Sequence, residues 1–253
     1  CMATILSGEN LARSILKTLE ARAKGKNLAL FVVQVGTNAV SKKYIAEKQK
    51  AAEKLGIAFS LIEVQGDVTQ EDLEKKVQEL ANDPSCSGIV VQLPLPQHIN
   101  VPGVLDRIPV EKDVDVLSTK SFELFKQEKL GILPPTVAAI SRLLESSGVS
   151  LQGKRVVIVG KGRLVGTPLS FWFLQKGITP VVVDKSTPNI GEVIKTADIL
   201  VSATGKAGLI QGDMVKEGAV VIDAGTSVEG GDTKGDVDFE SVSKKAAFLT
   251  PVP

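Results

Sequence analysis

Ser41, Tyr44 and Lys48 fall at i, i+3 and i+7 in a segment that runs to Leu55 and stops at Gly56. On a helix, that spacing puts all three on one face. Tyr44 is the single tyrosine of the chain. A lysine beside a phenol can donate or accept a proton if burial lowers its pKa. The competing reading is a solvated helix, because Lys42, Lys43, Lys50 and Lys54 crowd the same segment. Gln92 closes the apolar run Gly88–Gln92 just before Pro94. Ligands of open α/β sheets bind outside the carboxyl ends of strands, so Gln92 either orients a polar ligand or caps its strand. Asp113 and Asp115 lie in the polar stretch Glu111–Asp115, where turn-forming aspartates are common.

A second constellation follows the apolar run Val156–Val159, which leads into Gly160-Lys-Gly-Arg-Leu-Val-Gly166. The pattern G-x-G-x-x-x-G is longer than the common dinucleotide fingerprint, yet the same physics applies. Gly160 permits a tight turn, Gly162 lets the backbone approach a pyrophosphate, and Gly166 allows close helix packing. The helix start then faces the anion. Pro168 sits in the first turn, where a missing N–H costs little. Asp184 closes the next strand, where an acid accepts from a ribose 2′-hydroxyl and favours NAD. Lys161, Arg163 and Lys185 are near in sequence and suit the extra phosphate of NADP. The residues alone leave that choice open.

The elements that must position these groups alternate between strand and helix. Ser7–Ala23, Asn38–Leu55 and Val68–Ala81 have helical periodicity, and Thr69 is the expected N-cap of the third. Leu28–Val35, Ala58–Val64 and Gly88–Gln92 read as strands. Residues 97–134 are the least regular stretch, with a short segment at Ser121–Gln127, and Thr136–Ser147 reads as a helix. The second half begins afresh: strand Arg155–Val159, helix Val165–Gln175, strand Thr179–Asp184, short helix Gly191–Lys195, and strands Ile199–Ala203 and Ala219–Asp223. This alternation predicts an α/β protein of two domains. The first, 1–118, is a three-layer α/β substrate domain. The second, 119–253, is a Rossmann-like dinucleotide-binding domain.

Bulk properties exclude several classes. The 253 residues are 43% hydrophobic, enough for one large or two small cores. A net charge of +1 points to neither nucleic acid nor a membrane surface. No run approaches the roughly 18 apolar residues of a membrane span. Cys1 and Cys86 cannot build a disulfide framework, which points to a reducing, cytoplasmic setting. Cys1 precedes Met2, an order expected of a cloning remnant. His98 has no second ligand in pattern, so no metal site is expected. Phe171, Trp172 and Phe173 suit helix packing, and Cys86 a small core position.

Taken in order, several blocks resemble the bifunctional methylenetetrahydrofolate dehydrogenase/methenyltetrahydrofolate cyclohydrolase family. They are Val35-Gly36, Ser41-Lys-Lys-Tyr44, Lys48-Gln-Lys50, Gly88-Ile-Val-Val-Gln-Leu-Pro-Leu-Pro96, Lys112-Asp-Val-Asp115, Val165-Gly-Thr-Pro-Leu169, Asp223-Ala-Gly225 and Thr250-Pro-Val-Pro253. The resemblance covers nearly the whole chain. It implies that Lys48 is the catalytic lysine of the cyclohydrolase step, assisted by Gln92. It further implies that Tyr44 contacts the folate and that Asp115 hydrogen-bonds the pterin. The implied cofactor contacts are Gly160, Lys161, Gly162, Arg163, Gly166, Asp184, Lys185 and Thr226, with NADP as the expected cofactor and NAD its competitor. Both steps then share one cleft between the domains, and the family pairs as homodimers through the cofactor domain.

Four departures stand out. The family's Gly-Arg-Ser is Gly160-Lys-Gly162, and its Pro-Cys-Thr-Pro is Pro134-Pro-Thr-Val137. The glycine after Asp-Val-Asp is Val116. Relatives also continue past the equivalent of Pro253 into a glycine-rich stretch and a helix that returns to the first domain. The alternatives to a bifunctional enzyme are a single-activity dehydrogenase or cyclohydrolase, or an idle nucleotide-binding module. A polar lysine–tyrosine face counts against the last.

Overall fold

β-Branched runs and amphipathic segments alternate along this chain, and the computed structural model turns them into parallel strands and flanking helices. It describes residues 2–229 and 232–252, so Cys1 and Pro253 lie outside the described residues. In chain order come β1 (Thr4–Ile5), α1 (Gly8–Ala23), β2 (Ala29–Val35), α2 (Ala39–Lys54), β3 (Ala58–Val64), α3 (Gln70–Asn82) and β4 (Gly88–Val91). Then follow α4 (Val101–Leu105), α5 (Thr119–Lys126), α6 (Pro135–Ser147), β5 (Val156–Val159), α7 (Gly166–Gln175), β6 (Val181–Val183), α8 (Ile190–Ile194) and β7 (Ile199–Ser202). The last are β8 (Val220–Asp223), β9 (Ser227–Glu229), β10 (Asp232–Lys234), α9 (Phe239–Ser243) and β11 (Phe248–Leu249).

Packing divides the chain into two compact units: Ala12–Pro135, and the residues up to Leu11 together with those from Thr136 onward. The boundary expected at residue 118 therefore moves. Thr119 donates from its backbone N and its Oγ1 to Asp106, at 2.6 and 2.9 Å, which keeps α5 with the preceding unit. At the other end of the chain, β1 pairs in parallel with β11 and joins the later sheet. A two-residue strand has no periodicity to reveal it.

In the unit Ala12–Pro135 the sheet order is β3-β2-β4, all parallel. Strand alternation splits the core between two faces. Val33, Ile89 and Val91 pack with Leu73 and Val77 of α3 and Leu105 of α4, while Val32 and Val90 pack with Ile45 of α2. Helices on both faces make this the expected three-layer α/β domain. Each fully buried Val or Ile contributes roughly 1.5–3 kcal/mol.

The other unit carries a six-stranded parallel sheet, order β1-β11-β8-β7-β5-β6. Val156–Val159 and Ile199–Ser202 are buried at every position, the mark of strands covered on both faces. One core gathers Val157, Val159, Leu200, Val221, Ile194, Val242 and Leu249. The arrangement is Rossmann-like, with the helix α7 directly after β5. A small antiparallel hairpin, β9–β10, is added. Trp172 and Phe173 meet edge-on at 4.9 Å between centroids and are buried, a packing pair as expected. No described helix is long and apolar enough to cross a membrane.

Candidate active site

Helix α2 sets the first group of site residues. Asn38 caps it, accepting from Ser41 N at 3.0 Å. That start fixes the phase of the helix. Ser41, Ile45 and Ala52 are buried, and Lys48 lies half-buried on the same inward stripe. Lys42, Lys43, Lys50 and Lys54 are all exposed. The solvated-face reading thus describes the neighbours of Lys48 and not Lys48 itself. Tyr44 sits at the margin of the stripe and stays 46% exposed, so the face shared by Ser41, Tyr44 and Lys48 is not uniform.

Lys48 Nζ donates to Gln92 Oε1 at 2.9 Å. Gln92 is held in place first by its backbone, since its N donates to Val33 O at 2.8 Å and extends the β2–β4 ladder by one residue. Its side chain is then oriented by Nε2, which donates to Leu93 O at 3.0 Å. The same carbonyl accepts from Ser41 Oγ at 3.3 Å. The Leu93–Pro94 peptide is cis. With Nε2 committed, Oε1 is left to accept from the lysine.

Lys112-Asp-Val-Asp115 supplies the third element, and its charged residues divide the work. Lys112 Nζ donates to Ala81 O and Asp83 O at 2.6 and 2.8 Å, capping the C-terminus of α3. Asp113 is buried, forms a parallel bridge with Ile89 of β4, and accepts from Leu117 N and Ser118 N at 3.2 and 2.9 Å. Asp113 is therefore the turn-forming aspartate. Asp115 is different. Burial pushes its carboxyl above the usual carboxylate range; the nearby Lys48 ammonium pulls it down and Asp113 pushes it up. Lys48 and Gln92 thus meet at the carboxyl end of β4, and Asp115 lies near enough to Lys48 to feel its charge. Val116 is buried and has φ +57°, a strained conformation for a β-branched side chain.

In the other unit, Gly160 has φ +111°, and a Cβ there would lie 2.5 Å from Ala203 O. At Gly166 a Cβ would overlap Gly160 O, so only glycine lets α7 start against the turn. Nothing lies within 4 Å of a Cβ built on Gly162. No side chain caps α7. Lys161, Arg163 and Lys185 are exposed around this opening. Thr167 N of the first turn donates to Gly162 O at 3.0 Å, and a glycine cradle with the exposed cations Arg163 and Lys185, and Lys161 beside Asp184, fits a dinucleotide's phosphates. Lys161 Nζ pairs with Asp184 Oδ2 at 3.0 Å. The Ser186 hydroxyl, and then Lys161, hold the Asp184 carboxyl down at about 2. A Cβ on Gly205 would lie 3.4 Å from Thr226 O, so Thr226 borders the loop after β7.

Other singled-out residues fall outside both clusters. A ring nitrogen of His98 lies 2.9 Å from Val68 O, which ties its loop to the start of α3. Cys86 is buried, and burial raises its thiol. Among the described residues no group of His, Cys, Asp and Glu could hold a metal. Reasoning from sequence assigned nothing to Asp236, a fully buried carboxylate with three donors. No local signal marks it, because it lies in the polar run Asp232–Glu240.

A parallel sheet with a glycine turn opening onto a helix, preceded by an α/β unit with a lysine–glutamine pair near an aspartate, defines a dinucleotide-dependent α/β enzyme. Residues 6–115 match the family description tetrahydrofolate dehydrogenase/cyclohydrolase, catalytic domain, and residues 134–253 match its NAD(P)-binding domain. The chain belongs to the tetrahydrofolate dehydrogenase/cyclohydrolase family. It is 40% identical over 257 aligned residues to the bifunctional protein FolD of Lactobacillus delbrueckii subsp. bulgaricus, covering 100% of this chain and 91% of that protein. The structure is similar to FolD methylenetetrahydrofolate dehydrogenase/cyclohydrolase of Campylobacter jejuni, with TM-score 0.93, 36% identity and coverage of 99% and 92%. It is also similar to the Trypanosoma brucei methylenetetrahydrofolate dehydrogenase-cyclohydrolase solved with NADP and an inhibitor, with TM-score 0.95, 36% identity and coverage of 100% and 91%.

Proposed function

We propose that this chain oxidises 5,10-methylene-tetrahydrofolate to the 5,10-methenyl form with NADP and hydrolyses that product to 10-formyl-tetrahydrofolate. The observation that carries the reading is the Lys48–Gln92 hydrogen bond at 2.9 Å, on an inward helix stripe beside Asp115. When bound, the nicotinamide would supply the acceptor for the hydride that leaves the methylene carbon.

Lys48 handles the proton of the hydrolytic step. Water adds to the cationic methenyl carbon and loses one proton; as the bond from that carbon to the ring nitrogen breaks, the new hydroxyl gives up its second proton and the ring nitrogen takes one, so the neutral formyl product forms with net release of one proton. A lysine amine can exchange protons with both. Gln92 accepts one Nζ hydrogen and so fixes the geometry of the rest. Asp115 binds the pterin, and Tyr44 contacts the folate from the rim of the stripe.

Gly160, Lys161, Gly162, Arg163, Gly166, Asp184, Lys185 and Thr226 hold the dinucleotide. NADP is favoured because Lys161 already neutralises Asp184, so the acid presents little net charge to a 2′-phosphate. NAD remains the second reading, since Asp184 closes β6 where a ribose hydroxyl is bound in NAD enzymes. The enzyme works in the cytoplasm as a homodimer paired through its cofactor domain, in line with the family and with a single described cysteine. An absorbance assay with methylene-tetrahydrofolate, run in parallel with NADP and NAD, tests substrate, reaction and cofactor together. Reduction of NADP ahead of NAD is expected. Reduction of neither overturns the assignment.

A further inference from the structure

The loops that follow β7 and β8 are knitted together by two carboxylates outside the glycine turn. Asp236 is fully buried. Its Oδ2 accepts from Ser202 Oγ at 2.7 Å and from Thr204 N at 2.6 Å, and its Oδ1 accepts from Lys206 N at 2.9 Å. Asp223, at the end of β8, accepts from Gly225 N, Asp236 N and Val237 N at 3.0, 3.1 and 2.9 Å. Room for both groups comes from glycine: a Cβ on Gly225 would overlap the Asp236 carboxylate, and one on Gly235 the Asp223 carboxylate.

The loop that Asp236 holds, 203–206, touches both sides of the expected cofactor site. Ala203 O is the atom that a Cβ on Gly160 would strike, and Gly205 lies against Thr226 O. Two backbone amides and a hydroxyl converging on one dry carboxylate are strong, directional bonds. They leave that short loop little freedom.

We propose that Asp236 is a positioning residue for dinucleotide binding: it sets the 203–206 loop against the glycine turn without touching the cofactor itself. This rests on the cofactor reading above. Substituting Asp236→Asn turns one acceptor oxygen into a donor that faces a backbone N–H, so either Thr204 N or Lys206 N loses its partner.

The test is NADPH binding by fluorescence titration, with folate affinity and cofactor-free methenyl-tetrahydrofolate hydrolysis measured alongside. Asp236→Asn is expected to weaken NADPH about tenfold, by loss of one charge-assisted bond and loosening of the loop. Folate affinity and hydrolysis should stay within twofold. Faster hydrogen exchange at Thr204 and Lys206, without cofactor, should accompany the change. A second pair covers a variant that fails to fold: Lys206→Pro removes the N–H that Asp236 accepts, and Lys206→Ala removes the same side chain but keeps the N–H. Only the proline variant should weaken NADPH beyond the alanine one. Equal NADPH affinity in Asp236→Asn and wild type, or in the Lys206 pair, overturns the positioning role. Failure of the wild type to bind NADPH instead overturns the cofactor reading.

Discussion

Lys48 Nζ and Gln92 Oε1 meet at 2.9 Å although 44 residues separate them in the chain. One comes from a helix stripe and the other from the end of β4, an edge strand of its sheet. Removing the glutamine should therefore damage lysine chemistry without removing the lysine. Gln92→Leu is expected to lower methenyl-tetrahydrofolate hydrolysis by roughly 10²-fold through misplacement of Lys48. The spectrophotometric rate of methenyl loss measures this, and an unchanged rate would free Lys48 from dependence on Gln92.

Asp115 carries a pH signature. Burial raises its folded pKa above the ordinary 3.8, so folding favours the neutral carboxyl. Its contribution to stability is complete below the unfolded pKa and is lost as pH rises through the folded one. Asp115→Asn should accordingly raise Tm over wild type by more at pH 7 than at pH 4, while weakening folate binding. Calorimetry at the two pH values decides the matter; a gap that shrinks with rising pH contradicts the sign.

Val116 sets two effects against each other. Its left-handed backbone costs about 1–2 kcal/mol. Its buried side chain contributes roughly 1.5–3 kcal/mol, and a glycine would add about 0.5–1 kcal/mol of unfolded-state entropy. Burial outweighs strain, so Val116→Gly should destabilise the protein by on the order of 1 kcal/mol in urea unfolding. A stabilised variant would mean that the strain is larger than this accounting allows.

Lys161 and Asp184 predict cofactor preference. Asp184→Ala removes an acceptor for a ribose hydroxyl and releases Lys161. Affinity for NAD should fall, whereas affinity for NADP should hold or rise. Titration of both dinucleotides distinguishes the cases, and equal losses would take Asp184 out of the specificity argument.

Much of this was legible in the sequence where elements are long. Ala58–Val64 and the Thr69 cap emerge as expected, because period-2 and period-3.6 patterns need several residues to show. β1, β11 and the β9–β10 hairpin are too short to carry a pattern, and β1 exists only through pairing with a distant strand. The candidate site was legible in part. Spacing grouped Tyr44 with Lys48, but only the buried phase of Ser41, Ile45 and Ala52 separates Lys48 from its exposed lysine neighbours. Asp113 and Asp115 looked alike in one polar turn; bridging to β4 and burial near Lys48 tell them apart. The knot around Asp236 had no local signal, because it forms where separate loops meet.

The most direct measurement follows both steps in one cuvette, using Lys48→Met with methylene-tetrahydrofolate and NADP. The variant should still reduce NADP and bind folate, yet stop at the methenyl species, which accumulates, whereas wild type carries it on to 10-formyl-tetrahydrofolate. Hydrolysis by Lys48→Met at the wild-type rate would contradict the assignment of Lys48 and, with it, the account of this site.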